Sequence, residues 1–247
     1  FLKVCNAIDY AHTKGVIHLD LKPSNVIVGD FGDVHVLDWG LSTLITHLSE
    51  YDGESVSWHS LDDVALEDGQ TLTRYLESSA QRRHIVGGTP GYMSPEQAQG
   101  SPSDIDFQTD VYMLGAMLYE ILTYRCPIVG DTVKQVLQKT VRADFPHPAK
   151  CAPELRIPPA LDAITMKAMQ TDPNNRYANV AALIRDVHQY EDGFATIAEN
   201  PTFITHAALL VRRHKLTAGL IAFSAAIIGV ILANSFFSIK QSERVAL

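Results

Sequence analysis

The sequence predicts a mainly helical fold, α+β overall, with a small β element near its beginning and one transmembrane helix near its end. Apolar residues recur at helical spacing through most of the chain, which indicates amphipathic helices. Two short apolar runs within residues 16–40 have the composition of strands. Residues 216–239 contain no charged side chain, which is typical of a membrane span.

Composition limits the function classes before any motif is considered. The 247 residues, 46% of them hydrophobic, suffice for one large domain or two small ones. A formal net charge of −8 argues against a general nucleic-acid binder, so we expect no nucleic-acid partner. Cys5, Cys126 and Cys151 are widely spaced and form no metal-binding pattern, which favours reduced thiols over a disulfide or a metal site.

The chain is expected to begin inside a helix, because apolar residues recur at helical spacing from the first residue and no capping signal precedes them. This helix covers residues 1–13 and ends near Gly15. Since the first residue is not Met and no stop pattern closes the sequence, we expect a fragment that is cut at both ends. Short strands are predicted at 16–18 and within 26–40, around a turn at 29–33.

Residues 41–87 show no sustained period and are predicted as a long loop, with a short helix near 71–84. The helical segments that follow are separated by a Pro-rich connection at 146–159, and the last is stopped by Gly193. The segment 110–123 is apolar nearly all round, so it is expected at the centre of a domain. The predicted helices lie at 94–100, 110–123, 132–141, 161–169 and 180–187.

The uncharged segment 216–239 would be about 36 Å long as a helix, enough to cross a bilayer core; a buried core helix is the alternative. Positive residues at 212–215 outnumber those beyond the span, so residues 1–215 are predicted to be cytoplasmic, in a single-pass protein of the cell membrane. A small-residue row in the span, Ala218, Ala222 and Ala226, raises a homodimer as a hypothesis.

The run "HLDLKPSN" at 18–25 concentrates side chains that suit phosphoryl transfer. Asp20, Asn25 and the later Asp38 offer the hard oxygen ligands that Mg²⁺ prefers with phosphate. Lys22 would neutralise a transferring phosphoryl group, and Asp20 would orient and deprotonate a hydroxyl. Taken alone, the run is also compatible with a capped turn after a strand.

Further motifs favour the first interpretation. "DWG" follows at 38–40, "GTPGYMSPE" at 88–96, Asp110 with Gly115 in the apolar helix, and Arg176 within "DPNNRY". In this order they resemble the motifs of protein kinases, and "DLKPSN" is similar to their Ser/Thr-specific form. The resemblance covers residues 1 to about 195. It implies the large, C-terminal lobe of a eukaryotic-like serine/threonine protein kinase of bacterial type.

The resemblance implies a role for each matching residue in the transfer of phosphate from ATP to Ser/Thr hydroxyls of proteins. Asp20 would be the catalytic base, and Lys22 would contact the γ-phosphate. Asn25 and Asp38 would hold Mg²⁺, with Mn²⁺ as the alternative ion. Ile27 would form the floor under the adenine ring.

Other matches imply substrate binding or structural roles. Thr89 would brace Asp20 and Lys22 and favour Ser/Thr substrates. His18 and Trp39 would stack on each other and be anchored by Asp110; for His18 this structural role is favoured over direct chemistry. Gly40 completes the "DWG" motif, and a separate ion pair would form between Glu96 and Arg176.

The sequence also departs from the family pattern. It contains no Gly-rich phosphate loop and no strand Lys with a helix Glu partner, and "GDFGD" at 29–33 is a turn between strands. The N-terminal lobe is thus missing, and we expect the chain alone to be inactive. Leu19 replaces an Arg that pairs with an activation-loop phosphate in many kinases. We therefore expect that activation of this protein does not depend on such a phosphate. Trp39 replaces Phe, which should preserve function.

The segment from Asp38 to Glu96 is longer than the family pattern, with an insertion at about 44–84 that includes an acidic stretch. It is either a solvated insertion or a gate or docking site for a basic partner. We therefore predict a kinase domain at 1–195, a juxtamembrane segment at 196–215, and the start of an extracytoplasmic region at 240–247. A pseudokinase scaffold is the main alternative, and a small-molecule kinase fits the later motifs less well.

Overall fold

The computed structural model describes residues 1–45 and 87–199, together with Ser224, Ile227 and Ile228. The chain divides into two units, and the first, Phe1–Asp192 with Thr196–Asn200, contains every element named below. The predicted insertion at 44–84 and helix at 71–84 lie almost wholly outside the described residues. So does the predicted span at 216–239, of which three helical residues are described. Among the residues that can be described, no helix is long and apolar enough to cross a membrane.

The first helix, α1 (Leu2–Thr13), forms where the spacing predicts it. Its buried residues recur at the helical spacing on which the prediction rests: Val4, Cys5, Ile8 and Ala11. The chain leaves the helix through Gly15, whose φ of +76° lies in the left-handed region that glycine adopts readily. Burial raises the pKa of the Cys5 thiol to about 12, so this thiol stays protonated and packs as an apolar group.

In the described part of the chain, four short strands make two antiparallel pairs. In the predicted hairpin, β2 (Val26–Val28) pairs with β3 (Val34–Val36), and Ile27 lies opposite His35. The other pair joins β1 (Val16–Ile17) to β4 (Thr43–Leu44). This second pairing was not predicted, because residues 41–87 were assigned to loop.

The second described segment, residues 87–199, contains six helices. They are α2 (Pro95–Gln99), α3 (Phe107–Thr123), α4 (Val133–Arg142), α5 (Pro148–Cys151), α6 (Pro159–Ala168) and α7 (Val180–Glu191). Helix α3 begins three residues before the prediction because the Asp106 side chain accepts the Gln108 N–H at 2.7 Å, as an N-cap does. The connection at 146–159 contains the four-residue helix α5, which the sequence interpretation missed.

Helix α3 is the centre of the domain, as its apolar character predicts. Most of its residues are buried, and it packs against α6 and α1. A Cβ at Gly115 would lie 2.7 Å from the Cβ of Ala168, so only glycine permits this close approach of the two helices. Helix α7 closes the same core through Val180, Leu183 and Val187.

A buried ion pair joins α2 to the segment before α7. Both terminal nitrogens of Arg176 bind the carboxylate of Glu96, at 2.8 Å each, and the guanidinium also donates to three backbone carbonyls. Burial alone would raise the pKa of Glu96, but the hydrogen bonds and charge of Arg176 outweigh it and hold that pKa below its ordinary value of 4.5. The geometry is that of the predicted internal pair.

Replacing Arg176 by Met should lower the free energy of unfolding by about 3–5 kcal/mol, because it leaves a buried, unpaired carboxylate. Urea unfolding, followed by the tryptophan fluorescence of the protein, measures this change. The matched control is Arg125→Met, whose partner Glu154 is as exposed as Arg125 itself, and it should stay within about 1 kcal/mol of wild type.

The pH dependence adds a second check on this variant. Because the folded pKa of Glu96 is lowered, the pair stabilises the fold fully above the ordinary value, and the contribution is lost as the pH falls through the folded pKa. The difference between wild type and Arg176→Met should therefore shrink in acid. Equal losses for Arg176→Met and Arg125→Met at neutral pH would contradict the prediction.

Candidate active site

The loop that follows β1 is fixed to the central helix by one carboxylate. Asp110, in the first turn of α3, is fully buried and accepts the backbone N–H of His18 at 2.8 Å and that of Leu19 at 3.0 Å. The imidazole Nε2 of His12, on α1, lies 2.9 Å from the same carboxylate. Residues 18–22 are therefore held against two helices, although they form no regular structure themselves.

Leu19 adopts an unusual backbone conformation within this loop. Its φ of +68° lies in the left-handed region, which a residue with a Cβ rarely adopts. Side chains bind both of its backbone polar groups, because Asp110 accepts its N–H and Gln97 donates to its carbonyl at 2.9 Å. Its own side chain is fully buried against Ile17 and Ile105. The position where many kinases carry Arg thus lies in an apolar cluster.

Three residues of the predicted site, Asp20, Lys22 and Thr89, are in contact through their side chains. The Thr89 hydroxyl donates to Asp20 Oδ1 at 2.8 Å and accepts a hydrogen bond from Lys22 Nζ at 2.7 Å. Lys22 Nζ also lies 3.2 Å from Asp20 Oδ2. All three side chains are more than nine-tenths buried. The structure thus brings together residues that are 67 and 69 positions apart in the sequence.

Asn25 completes this cluster from the short helical turn Pro23–Asn25. Its amide nitrogen donates to the Asp20 carbonyl at 2.8 Å and lies 3.3 Å from Asp20 Oδ2. Because the nitrogen holds Asp20, the amide oxygen is the atom left for a cation.

His18 links this cluster to the "DWG" segment. Its Nδ1 accepts the Asp20 N–H at 3.3 Å, so its Nε2 carries the proton and donates to the Leu37 carbonyl at 3.1 Å. The His18 and Trp39 rings lie 4.5 Å apart between centroids. Asp38 itself is exposed, with a φ of +57°.

The donor set fits a magnesium ion shared with a nucleotide better than a metal held by protein alone. Within residues 1–45 and 87–199, no group of three or more His, Cys, Asp or Glu side chains is placed to hold a metal. Mg²⁺ commonly takes one or two protein oxygens and completes its shell with phosphate and water. The Leu37 N–H donates to the Asn25 carbonyl at 2.8 Å. Because Asp38 directly follows Leu37, this hydrogen bond keeps the Asp38 backbone near Asn25.

Ile27 and Gly40 lie at the open side of the described site. Ile27 is on β2 with 52% of its surface exposed, so an aromatic ring can pack against it. A Cβ at Gly40 would lie 3.2 Å from Asp38 Oδ1, which is closer than most Cβ contacts. Glycine therefore keeps space beside the Asp38 carboxylate.

The segment that carries Thr89 packs closely on its surroundings. We call residues 87–93 the docking loop. The hydroxyl of Tyr92 donates to the Glu120 carboxylate, and burial together with this hydrogen bond raises the pKa of Tyr92. A Cβ at Gly91 would lie only 2.4 Å from the Sγ of Cys126, so the loop requires glycine there.

Sequence reasoning missed several residues that build the site. Gln97 and Ser94 form a capping box at the start of α2, and their spacing of three is a signal that could have identified Gln97. His12 and the Tyr92–Glu120 contact gave no comparable signal, because their partners lie far away in the sequence.

The sequence of this chain matches a known protein family and several curated proteins. The protein kinase domain family matches residues 1–189. The serine/threonine-protein kinase PknD of Protochlamydia amoebophila is 36% identical over 193 residues, which cover 78% of this chain and 18% of that protein. The probable serine/threonine-protein kinase PknB of Bifidobacterium longum is 34% identical over 197 residues, 80% of this chain and 24% of that protein. The chain thus spans about a fifth of the length of the curated relatives it matches. Since the family match covers most of the chain, the chain belongs to the protein kinase family.

Proposed function

We propose that the chain carries the catalytic residues of a membrane-anchored kinase that transfers the γ-phosphate of ATP to Ser or Thr hydroxyls of proteins. The observation that carries this proposal is the contact of Thr89 with both Asp20 and Lys22. It joins a carboxylate, a cation and a hydroxyl in a buried cluster that the Asn25 amide also contacts. Protein kinases use ATP and Mg²⁺ for this reaction.

Asp20 would accept the proton of the substrate hydroxyl as its oxygen attacks the γ-phosphorus. The bond from that phosphorus to the β-phosphate oxygen would break, and ADP would leave. Lys22 would neutralise charge on the transferred group. Asn25 and Asp38 would hold Mg²⁺, which would neutralise charge on the phosphates, and Ile27 would pack against the adenine.

Thr89 would keep the base and the cation in place before substrate binds. A single hydroxyl donates to the carboxylate and accepts from the ammonium group, so Thr89 holds both groups while Lys22 Nζ keeps its direct contact with Asp20 Oδ2. The sequence contains no Gly-rich phosphate loop and no strand Lys with its helix Glu. We therefore expect residues 1–247 alone to transfer phosphate poorly, and the tests below use the full-length protein.

Asp20→Asn in the full-length protein should lower kcat for peptide phosphorylation by about 10²- to 10⁴-fold, because the amide keeps the shape but cannot accept the proton. Steady-state incorporation of labelled phosphate into a Ser/Thr peptide measures the effect. Asp30→Asn, at an exposed position of the β2–β3 turn, is the matched control and should keep wild-type activity.

The same assay separates an active kinase from the pseudokinase alternative. Wild type and Asp30→Asn would transfer phosphate if the enzyme is active, whereas Asp20→Asn would not. A wild-type protein that binds ATP and transfers nothing would reject the proposal in favour of a scaffold.

We also propose that activity does not depend on a phosphate bound next to residues 18–22, which we call the catalytic loop. Leu19 cannot pair with phosphate, and its side chain is buried with Ile17 and Ile105, against which Leu41 and Phe107 pack. This apolar cluster would support the start of the segment from Asp38 to Glu96 by excluding water, where many kinases use an ion pair.

Removal of phosphate from the purified full-length kinase should therefore leave its activity within about threefold of the untreated enzyme. Phosphatase treatment, followed by initial-rate measurement before autophosphorylation resumes, gives this comparison. A loss of about a hundredfold, restored by phosphorylation of one loop residue, would contradict the proposal.

Residues 216–239 are proposed to anchor the protein in the cell membrane, with residues 1–215 on the cytoplasmic side. The uncharged length and the basic run at 212–215 support this assignment.

A double substitution of Ile227 and Ile228 by Arg should release the protein from membranes, because each charge near the centre of a span costs about 2.5–3.5 kcal/mol. Fractionation of cells, with an alkaline wash of the membranes, measures the distribution. Replacing both residues by Leu is the control. Wild-type protein found in the soluble fraction would reject the anchor.

A further inference from the structure

Gln97 is a fully buried amide whose four hydrogen-bonding positions are all occupied. Its Nε2 donates to the carbonyl of Leu19 at 2.9 Å and to that of Gly87 at 3.0 Å. Its Oε1 accepts from the backbone N–H of Ser94 at 3.1 Å and from the Ser94 hydroxyl at 3.2 Å. An amide buried in this way is costly unless every partner is present, so these contacts determine where it lies.

The two carbonyls that Gln97 binds belong to two different parts of the site. Leu19 directly precedes Asp20, and Gly87 begins the docking loop two residues before Thr89. Between them the loop passes very close to the catalytic segment. A Cβ at Gly88, whose φ is +146°, would lie 3.3 Å from the Leu19 carbonyl oxygen and 3.4 Å from Gln97 Nε2.

We propose that Gln97 is a positioning residue that couples the docking loop to the catalytic loop. By holding the Leu19 and Gly87 carbonyls on one amide nitrogen, it brings Thr89 to Asp20 and Lys22 in register. It also helps to hold Leu19 in its left-handed conformation, since Asp110 binds the N–H of Leu19 and Gln97 binds its carbonyl. The inference rests on the proposed function for its effect on phosphotransfer, and on contacts alone for the coupling.

The contacts explain why an amide is required at this position. A Glu side chain has the same shape, but its carboxylate would face two carbonyl oxygens with no proton to donate. When protonated, Glu can donate to one of the two carbonyls. A Leu side chain fills similar space and leaves both carbonyls without this donor.

The kinetic test compares Gln97→Glu, Gln97→Leu and wild type in the full-length protein. Gln99→Glu is the matched control, since Gln99 is exposed on the same helix. At about pH 8 both Gln97 variants should lose about 10- to 100-fold in kcat/KM for the peptide, while KM for ATP changes by less than about twofold. Gln97→Glu should recover part of this loss at about pH 6, and Gln97→Leu should not.

A second measurement does not depend on catalysis. Amide hydrogen exchange in segments 18–22 and 87–93 should rise together in the Gln97 variants at about pH 8, with α3 and α6 unchanged. Exchange that changes only within α2, or rises across the whole domain, would overturn the proposal. So would kinetic losses explained by the folded fraction alone, with kcat/KM per folded enzyme unchanged.

The two proposals can fail separately. If wild type transfers no phosphate but the two segments still exchange together, the kinase activity is rejected and the coupling stands. If Gln97→Leu does not fold, Gln97→Glu at about pH 6 keeps one donor and carries the exchange measurement. If neither variant folds at any pH, Gln97 is needed only for stability and the coupling role is rejected.

Discussion

The rest of the site depends on the buried carboxylate of Asp110. It accepts the N–H groups of His18 and Leu19 and contacts the His12 imidazole, all within 3.0 Å. A buried carboxylate is costly without such partners, so α3 and the catalytic loop stabilise each other. Because Asp110 lies in the first turn of α3, its charge also interacts favourably with the positive end of the helix dipole. The central helix of the domain thereby sets the position of the residues next to Asp20.

The catalytic loop has no repeating hydrogen bonds, so its backbone groups need other partners. Side chains from surrounding elements supply them. Asp110 accepts from two N–H groups, Gln97 donates to the Leu19 carbonyl, and Asn25 donates to the carbonyl of Asp20. Asp20 is thus held through its neighbours as well as through Thr89. This arrangement explains how reactive groups can lie on irregular segments and still keep a defined geometry.

The elements that the sequence predicts correctly are those with a strong local signal. The apolar stripe of α1 and the all-round apolar α3 are buried as their patterns indicate. The position of a residue in the helical repeat determines whether its side chain faces the core, so a local pattern is enough to predict burial. The pair of Glu96 and Arg176 and the contacts of Thr89 span 67 to 80 residues and came from the family resemblance. No local pattern connects such residues. The pairing of β1 with β4 was missed for the same reason.

Leu19 shows why the finest part of the site is the hardest to predict. Its sequence neighbours indicate an ordinary extended residue, since a left-handed conformation costs a residue with a Cβ about 1–2 kcal/mol. Only tertiary contacts can impose that conformation: two buried hydrogen bonds to its peptide groups and an apolar cluster around its side chain. Both hydrogen bonds come from residues more than 70 positions away in the sequence. The strained residue directly precedes Asp20, so the local sequence preference fails where the geometry of the reacting group is determined.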